Sequence, residues 1–349
     1  MTGSAGISAG ISTGISGATS ATILGLQGLE LTRDEAAFFR AARPYGFILF
    51  ARNIETPEQL TALTASLREV VGVDCPVLID QEGGRVQRMR APHWREWLAP
   101  LEQSACASDP ARAAYLRARI MADELRACGV DANCAPTCDI AGDQTHPFLR
   151  NRCWGHDVAG VTKQARATMD GLLAGGVLPI VKHMPGHGRA TNDSHHDLPT
   201  VTADADDLRA HDFAVFKSLN DSPMGMTAHI RFTAFDDAPA TQSPVMIDLI
   251  RREIGFDGVL MTDDIAMQAL SGTIAERSAL AIKAGCDVVL HCSGIIADAE
   301  AAVAASNALT GAALARAEAA CAARISPAPI DIRALDADLE AVLGQGANG

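Results

Sequence analysis

No stretch of this 349-residue chain approaches the ~18–20 consecutive apolar residues that a bilayer-spanning helix requires, so no transmembrane segment is expected. Positive charge is also scarce: 29 Lys and Arg stand against 42 Asp and Glu, a formal net charge of −13. Repulsion from phosphate would oppose each encounter with nucleic acid or an anionic membrane surface. A general binder of either is therefore excluded, while a small anionic ligand in a locally basic pocket is not. The nine cysteines are odd in number and contain no Cys-x-x-Cys, a pattern that points to a reducing, cytoplasmic setting. Cys134, Cys138 and His146 fit no standard zinc spacing, and Cys75, Cys134 and Cys286 sit in or beside apolar runs as small hydrophobes. No G-x-G-x-x-G follows a strand-like run, so the signature of a dinucleotide-binding sheet is missing. Residues 1–20 lack both a basic n-region and a continuous apolar stretch. They read as a flexible tail ahead of one domain over 21–349, and not as a signal peptide.

What the chain has is core: 48% hydrophobic residues against 20% charged. Eight short apolar runs recur along it: Thr22–Leu26, Gly46–Phe50, Pro76–Ile79, Val130–Cys134, Leu178–Val181, Pro223–Thr227, Gly258–Met261 and Asp287–Leu290. Each is followed by a helical pattern, beginning near Thr32, then over Thr56–Val71, Pro110–Cys128, 157–174, 204–220, 243–254, 273–284 and 297–323. Runs that are apolar throughout, and not alternating, suit strands buried on both faces, as in parallel sheets covered by helices. Eight strand-helix units predict an α/β fold, a single-domain (β/α)8 barrel, with an open doubly wound sheet as the alternative.

A barrel makes a specific demand, that chemistry gather at the C-terminal ends of the strands. Asp80, Lys182, His183, His229, Asp263, Asp264 and His291 all occupy such ends. The densest stretch is 178–199, where an apolar strand runs into Lys182 and His183, then a Pro-Gly-His-Gly turn, then Asp193, Ser194, His195, His196 and Asp197. A loop so rich in His, Lys and Asp points to binding or catalysis more than to ordinary surface polarity. Asp193 and His195, at i and i+2, share one side of an extended segment, and a carboxylate beside an imidazole makes a general acid/base near neutral pH. Asp263 and Asp264 follow GVLM directly; one can face a pocket while its neighbour bonds backbone or a basic partner, or both can merely cap the next element. A carboxylate nucleophile with a separate proton donor is the equipment for glycoside cleavage through a covalent intermediate. Arg88, Arg152, Lys182 and His183 would then hold sugar hydroxyls or an acidic appendage. Gly83-Gly84 permits close backbone approach to a ligand, or simply a tight turn.

Taken together, DQEGGRVQR (80–88), NRCWG (151–155), KHMPGHG (182–188), DSH (193–195) and TDDIAM (262–267) resemble the β-N-acetylglucosaminidases of glycoside hydrolase family 3. The bacterial cytoplasmic branch that recycles peptidoglycan is the nearest in pattern, over about residues 22–320. The resemblance implies a single (β/α)8 barrel that needs no metal or cofactor, acts as a monomer and retains anomeric configuration. It implies Asp263 as nucleophile, His195 as acid/base with Asp193 as its partner, and Asp80, Arg88, Arg152, Lys182 and His183 as contacts of N-acetylglucosamine. The implied substrate is a small muropeptide or other sugar ending in N-acetylglucosamine, with no nucleic-acid or membrane partner. Met184 where phenylalanine is usual, and TDDIAM in place of SDDLSM, touch no group assigned to chemistry.

Three other readings compete. Phosphorolysis of the same bond is the nearest, because a neutral imidazole base does not repel phosphate. A metal-dependent barrel hydrolase using His183, His187, His229 and Asp263 as ligands is a second, although no His-x-His stands at the first strand. A non-catalytic sugar sensor is a third, and it has no use for a nucleophile.

Overall fold

The computed structural model describes residues 14–191, 197–327 and 329–344. Eight parallel strands close into a barrel, as the eight apolar runs predict. In chain order the strands are β1 (Ser20–Leu24), β2 (Pro44–Leu49), β3 (Val77–Ile79), β4 (Ala132–Asn133), β5 (Leu178–Met184), β6 (Thr200–Val201), β7 (Met224–Thr227), β8 (Arg231–Phe232), β9 (Val259–Asp264) and β10 (Val288–His291). The barrel runs β1-β10-β9-β7-β5-β4-β3-β2 and back to β1, while β6 and β8 form a separate two-stranded ribbon. Closure is carried by the first and last strands, with Ile23 beside Leu290 and Leu24 beside His291.

The apolar runs are unbroken because each strand buries both faces. Ile23, Leu78, Ile180, Met224, Met226, Met261 and Leu290 point inward and fill the barrel. Their neighbours Leu24, Phe47, Val77 and Ile79 pack outward beneath helices on one side. Val181, Leu260 and Val289 do the same on the other. The helices start where their caps stand. Thr32 and Glu35 form a reciprocal capping box at Arg33–Ala42, and Thr56 caps Pro57–Val71 with proline in the first turn.

Two expected helices are divided. The segment 204–220 forms Ala205–Ala210 and Asp212–Ser218, broken at His211. The segment 297–323 forms Ile296–Ser306 and Gly311–Ala322, and the break is stitched to the barrel floor. There Ala21 N of β1 donates to the Asn307 carbonyl, and Leu309 N to that of Thr19, the residue just ahead of β1. Besides the single turn Pro147–Arg150, two helices were not legible in the pattern, Pro100–Cys106 and Ile332–Gly344. The second lays Leu339 into the outer core, and Asp336 and Glu340 pair with Arg95. Of the expected tail, residues 1–13 lie outside the described residues; Ile15 and Thr19 are buried against the barrel. All nine cysteines are free thiols. No helix among the described residues is long and apolar enough to cross a membrane.

Candidate active site

Side chains along a strand alternate between its faces, and this alternation carries the barrel core directly into a site. Ile48, Leu78, Ile180, Met261 and Leu290 belong to the interior. Two residues further along each strand come Phe50, Asp80, Lys182, Asp263 and Cys292, which line a bowl at the C-terminal end of the barrel. Arg88, His183, Met226, Asp264 and Met267 complete its wall. The predicted residues Asp80, Arg88, Lys182, His183 and Asp263 therefore share one cavity.

One wall of the bowl is an ion cluster. Lys182 Nζ lies 2.9 Å from Asp80 Oδ1 and 2.5 Å from Glu82 Oε1, and Arg88 Nη2 is 3.0 Å from Asp80 Oδ2. Arg152 grips Glu82 in bidentate fashion, with Nε and Nη2 each 2.8 Å from a carboxylate oxygen. Burial alone would raise both carboxyls. Lys182 and Arg88 outweigh it at Asp80, holding that group well below the usual carboxylate range. Arg152 and Lys182 do the same at Glu82, bringing it down to about 2. Burial likewise works against the cations, and the same carboxylates reverse it, so Lys182 and Arg152 hold their protons more firmly than usual.

The opposite wall is β9. Asp263 Oδ1 accepts a 2.8 Å hydrogen bond from Asp264 N. Burial raises this carboxyl, but His183 and His229 outweigh burial and leave it an ionised carboxylate, below its ordinary range. Asp264 bonds backbone, as one of the two aspartates is expected to do. Its Oδ1 accepts from Ala266 N and Cys292 N, each at 3.1 Å, and burial raises its proton affinity. His183 stands between the walls: Nδ1 is 2.7 Å from Asp139 Oδ2, and Nε2 is 3.4 Å from Arg152 Nη2. Asp139 also accepts from His187 N at 2.6 Å, which fixes the turn after β5.

Not every predicted position enters the bowl. Arg152 sits one layer behind it, spent on Glu82. His229 is buried behind β9, donating from Nε2 to the Asp264 carbonyl oxygen at 3.0 Å, with Nδ1 2.7 Å from the Thr241 hydroxyl. His291 turns to Ser293, 2.9 Å away. Asp193 and His195 lie outside the described residues. His183 and His229 thus have their ring nitrogens engaged by protein groups. Among the described residues no group of three or more His, Cys, Asp and Glu is arranged to hold a metal ion.

Gly83 and Gly84 resolve to the bland alternative, since what approaches them is their own chain. Both have positive φ, 101° and 59°; the Arg117 guanidinium closes on the first and Ala99 on the second. Met184 is fully buried in the outer core, consistent with a packing role. Glu82 and Asp139 were missed. Glu82 shares the parity of Asp80, and that i, i+2 spacing is the signal that would have found it.

The glycosyl hydrolase family 3 N-terminal domain matches residues 26–322. A β-hexosaminidase of Alkalilimnicola ehrlichii is 36% identical over 279 residues, covering 78% of this chain and 80% of the relative. One from Chromobacterium violaceum is 36% identical over 281 residues, 78% of each chain. NagZ from Neisseria gonorrhoeae, solved in complex with N-trifluoroacetyl-D-glucosamine, superposes with a TM-score of 0.80 at 29% identity. That alignment covers 94% of this chain and 97% of the other.

Proposed function

The chain belongs to glycosyl hydrolase family 3, as a hydrolase of the β-hexosaminidase type, and on that premise we propose that it removes terminal β-linked N-acetylglucosamine from peptidoglycan turnover products. The favoured substrates are N-acetylglucosaminyl-1,6-anhydro-N-acetylmuramic acid and its peptides, cleaved by double displacement with retained configuration. The observation that supports this reading is the position of Asp263, an ionised carboxylate opposite a wall of paired cations in one bowl at the barrel mouth. The glucosamine derivative bound by the gonococcal relative supports the choice of sugar.

In this reading Asp80, Arg88 and Lys182 hold the sugar hydroxyls with charge-assisted hydrogen bonds, and His183, its ring held by Asp139 and braced by Arg152 from behind, packs against the sugar. Asp263 attacks the anomeric carbon from below while the glycosidic oxygen takes a proton. A covalent glycosyl-aspartate results, and water then attacks the opposite face, the one the leaving group vacated, displacing the Asp263 carboxylate and releasing the sugar with its configuration retained. His195, partnered by Asp193, is the proposed donor to the leaving oxygen and then the base toward water.

Incubation with 4-nitrophenyl N-acetyl-β-glucosaminide tests the activity. A 2-fluoro sugar followed by peptide mass spectrometry tests the nucleophile. Release of 4-nitrophenol with label on Asp263 is expected. A label on any other residue removes the assignment, and N-acetylglucosamine-1-phosphate as the main product in phosphate buffer replaces hydrolysis with phosphorolysis.

A further inference from the structure

We propose that Glu82 is a positioning residue for this reaction, its carboxylate charge holding Arg152 and Lys182 at the back of the sugar bowl. The inference rests on the glucosaminidase reading above and assigns a part to a residue outside the set that would touch the sugar. Glu82 is 4% exposed and does not line the bowl. Its two oxygens meet Arg152 Nε and Nη2 at 2.8 Å and Lys182 Nζ at 2.5 Å. Thr137 Oγ1 stands 3.4 Å away.

The dependence is one-sided. Lys182 has a second carboxylate in Asp80, whereas Glu82 is the carboxylate to which Arg152 is paired. Arg152 in turn reaches the bowl through His183 Nε2. Glu82 is itself fixed from behind. Arg117, whose guanidinium lies 5.6 Å from the Trp97 ring and 5.4 Å from that of Trp154, donates to the Glu82 carbonyl oxygen and to Gln103 Oε1. A chain of contacts thus runs from the outer core through Arg117, Glu82, Arg152 and His183 to the bowl. A buried cation without its partner is unfavourable enough to reorient or draw in water, and a displaced His183 and Lys182 would meet the sugar poorly.

Charge and shape make opposite demands here, and the test uses that. Glutamine copies the shape of Glu82 but turns an NH2 group toward a cation. Aspartate keeps the charge but is one methylene shorter. Holding by charge predicts that Glu82→Gln loses on the order of 10²–10³-fold in kcat/KM on 4-nitrophenyl N-acetyl-β-glucosaminide, mostly through KM, while Glu82→Asp loses about tenfold or less. Thermal melting confirms that each variant is folded. The reverse ranking, with Gln tolerated and Asp impaired, overturns the proposal. Should Glu82→Gln not fold, Arg152→Met is compared with the Glu82→Gln/Arg152→Met pair, which buries no unpaired guanidinium. Acting through Arg152, Glu82→Gln then adds less than about tenfold, and a further loss of about 10²-fold overturns the proposal. Turnover by the unaltered enzyme is measured first; its absence removes the glucosaminidase reading. In that case the same ranking is read from N-acetylglucosamine affinity by calorimetry.

Discussion

Buried ion clusters stand at both ends of the barrel, and they spend their charge differently. At the N-terminal end, Asp131 precedes β4 and reaches sideways to β3, its Oδ1 accepting from Val77 N at 2.8 Å. Its Oδ2 takes Arg68 at 2.9 Å and Arg324 at 2.5 Å. Asp287, ahead of β10, repeats the device: it accepts from Leu260 N of β9 at 2.9 Å and pairs with Arg251 and Arg316. These carboxylates tie strand to strand through the backbone. At the C-terminal end Asp80, Glu82, Arg88, Arg152 and Lys182 pair side chain to side chain beside an open bowl, and Arg88 Nε makes no hydrogen bond among the described residues. Charges saturated on backbone fix a fold, whereas charges gathered around a cavity are available to a ligand.

The largest expected effect falls on the open end. Asp263→Ala is predicted to lower kcat by on the order of 10⁴-fold or more while N-acetylglucosamine still binds, read by kinetics and calorimetry. His195→Ala should cost on the order of 10²–10⁴ in rate with a poor leaving group and much less with 4-nitrophenol, whose departure needs little protonation. Equal losses with both leaving groups would end its assignment as proton donor.

Breaking the closed end should do the converse. Asp131→Ala removes the buried carboxylate that Arg68 and Arg324 share, leaving them the half-exposed Asp74, and is expected to cost about 3 kcal/mol in urea unfolding. The kcat/KM of the remaining folded enzyme should stay within about twofold. A stable but inactive Asp131→Ala would erase the distinction between the two ends.

Acid sharpens the comparison further. His187 is pushed down to about 4, by burial first and then by His183, and burial also lowers His229. Their unfolded counterparts take protons near about 6.5, so the unfolded state binds more protons as pH falls from there toward 4. Stability is therefore full above 6.5 and declines through that window. A second loss follows below about 4, where Asp80, Glu82 and Asp139, all held low in the fold, are forced to protonate. Melting temperature against pH should show both steps, with the first reduced in His187→Gln. The smallest effect belongs to the exposed Arg166–Asp221 pair, where Asp221→Ala should change stability by about 1 kcal/mol or less.

Much of the fold was legible because both faces of each barrel strand are buried, which writes each one as an uninterrupted apolar run. The rim was legible for a related reason: a polar residue directly after such a run must sit where the barrel opens. Asp80, Lys182, His183, Asp263 and Asp264 were found that way. The helix breaks at His211 and Asn307 were not, because alanine-rich sequence favours continuing a helix and only contact with the barrel floor stops the second. Glu82 and Asp139 escaped because their partners are remote in sequence: Arg152 is 70 residues from Glu82, and His183 is 44 from Asp139.

The order of strands and helices, the end of the barrel that carries chemistry and most of its titratable groups are properties of the chain read locally, since burial and alternation act over a few residues. Which cation answers which carboxylate, which aspartate turns to backbone, and that Arg152 stands behind the bowl and not in it were decided by closure of the barrel. Electrostatic pairing depends on distance in space, and only the closed sheet brings β3, β5 and β9 within reach of one another.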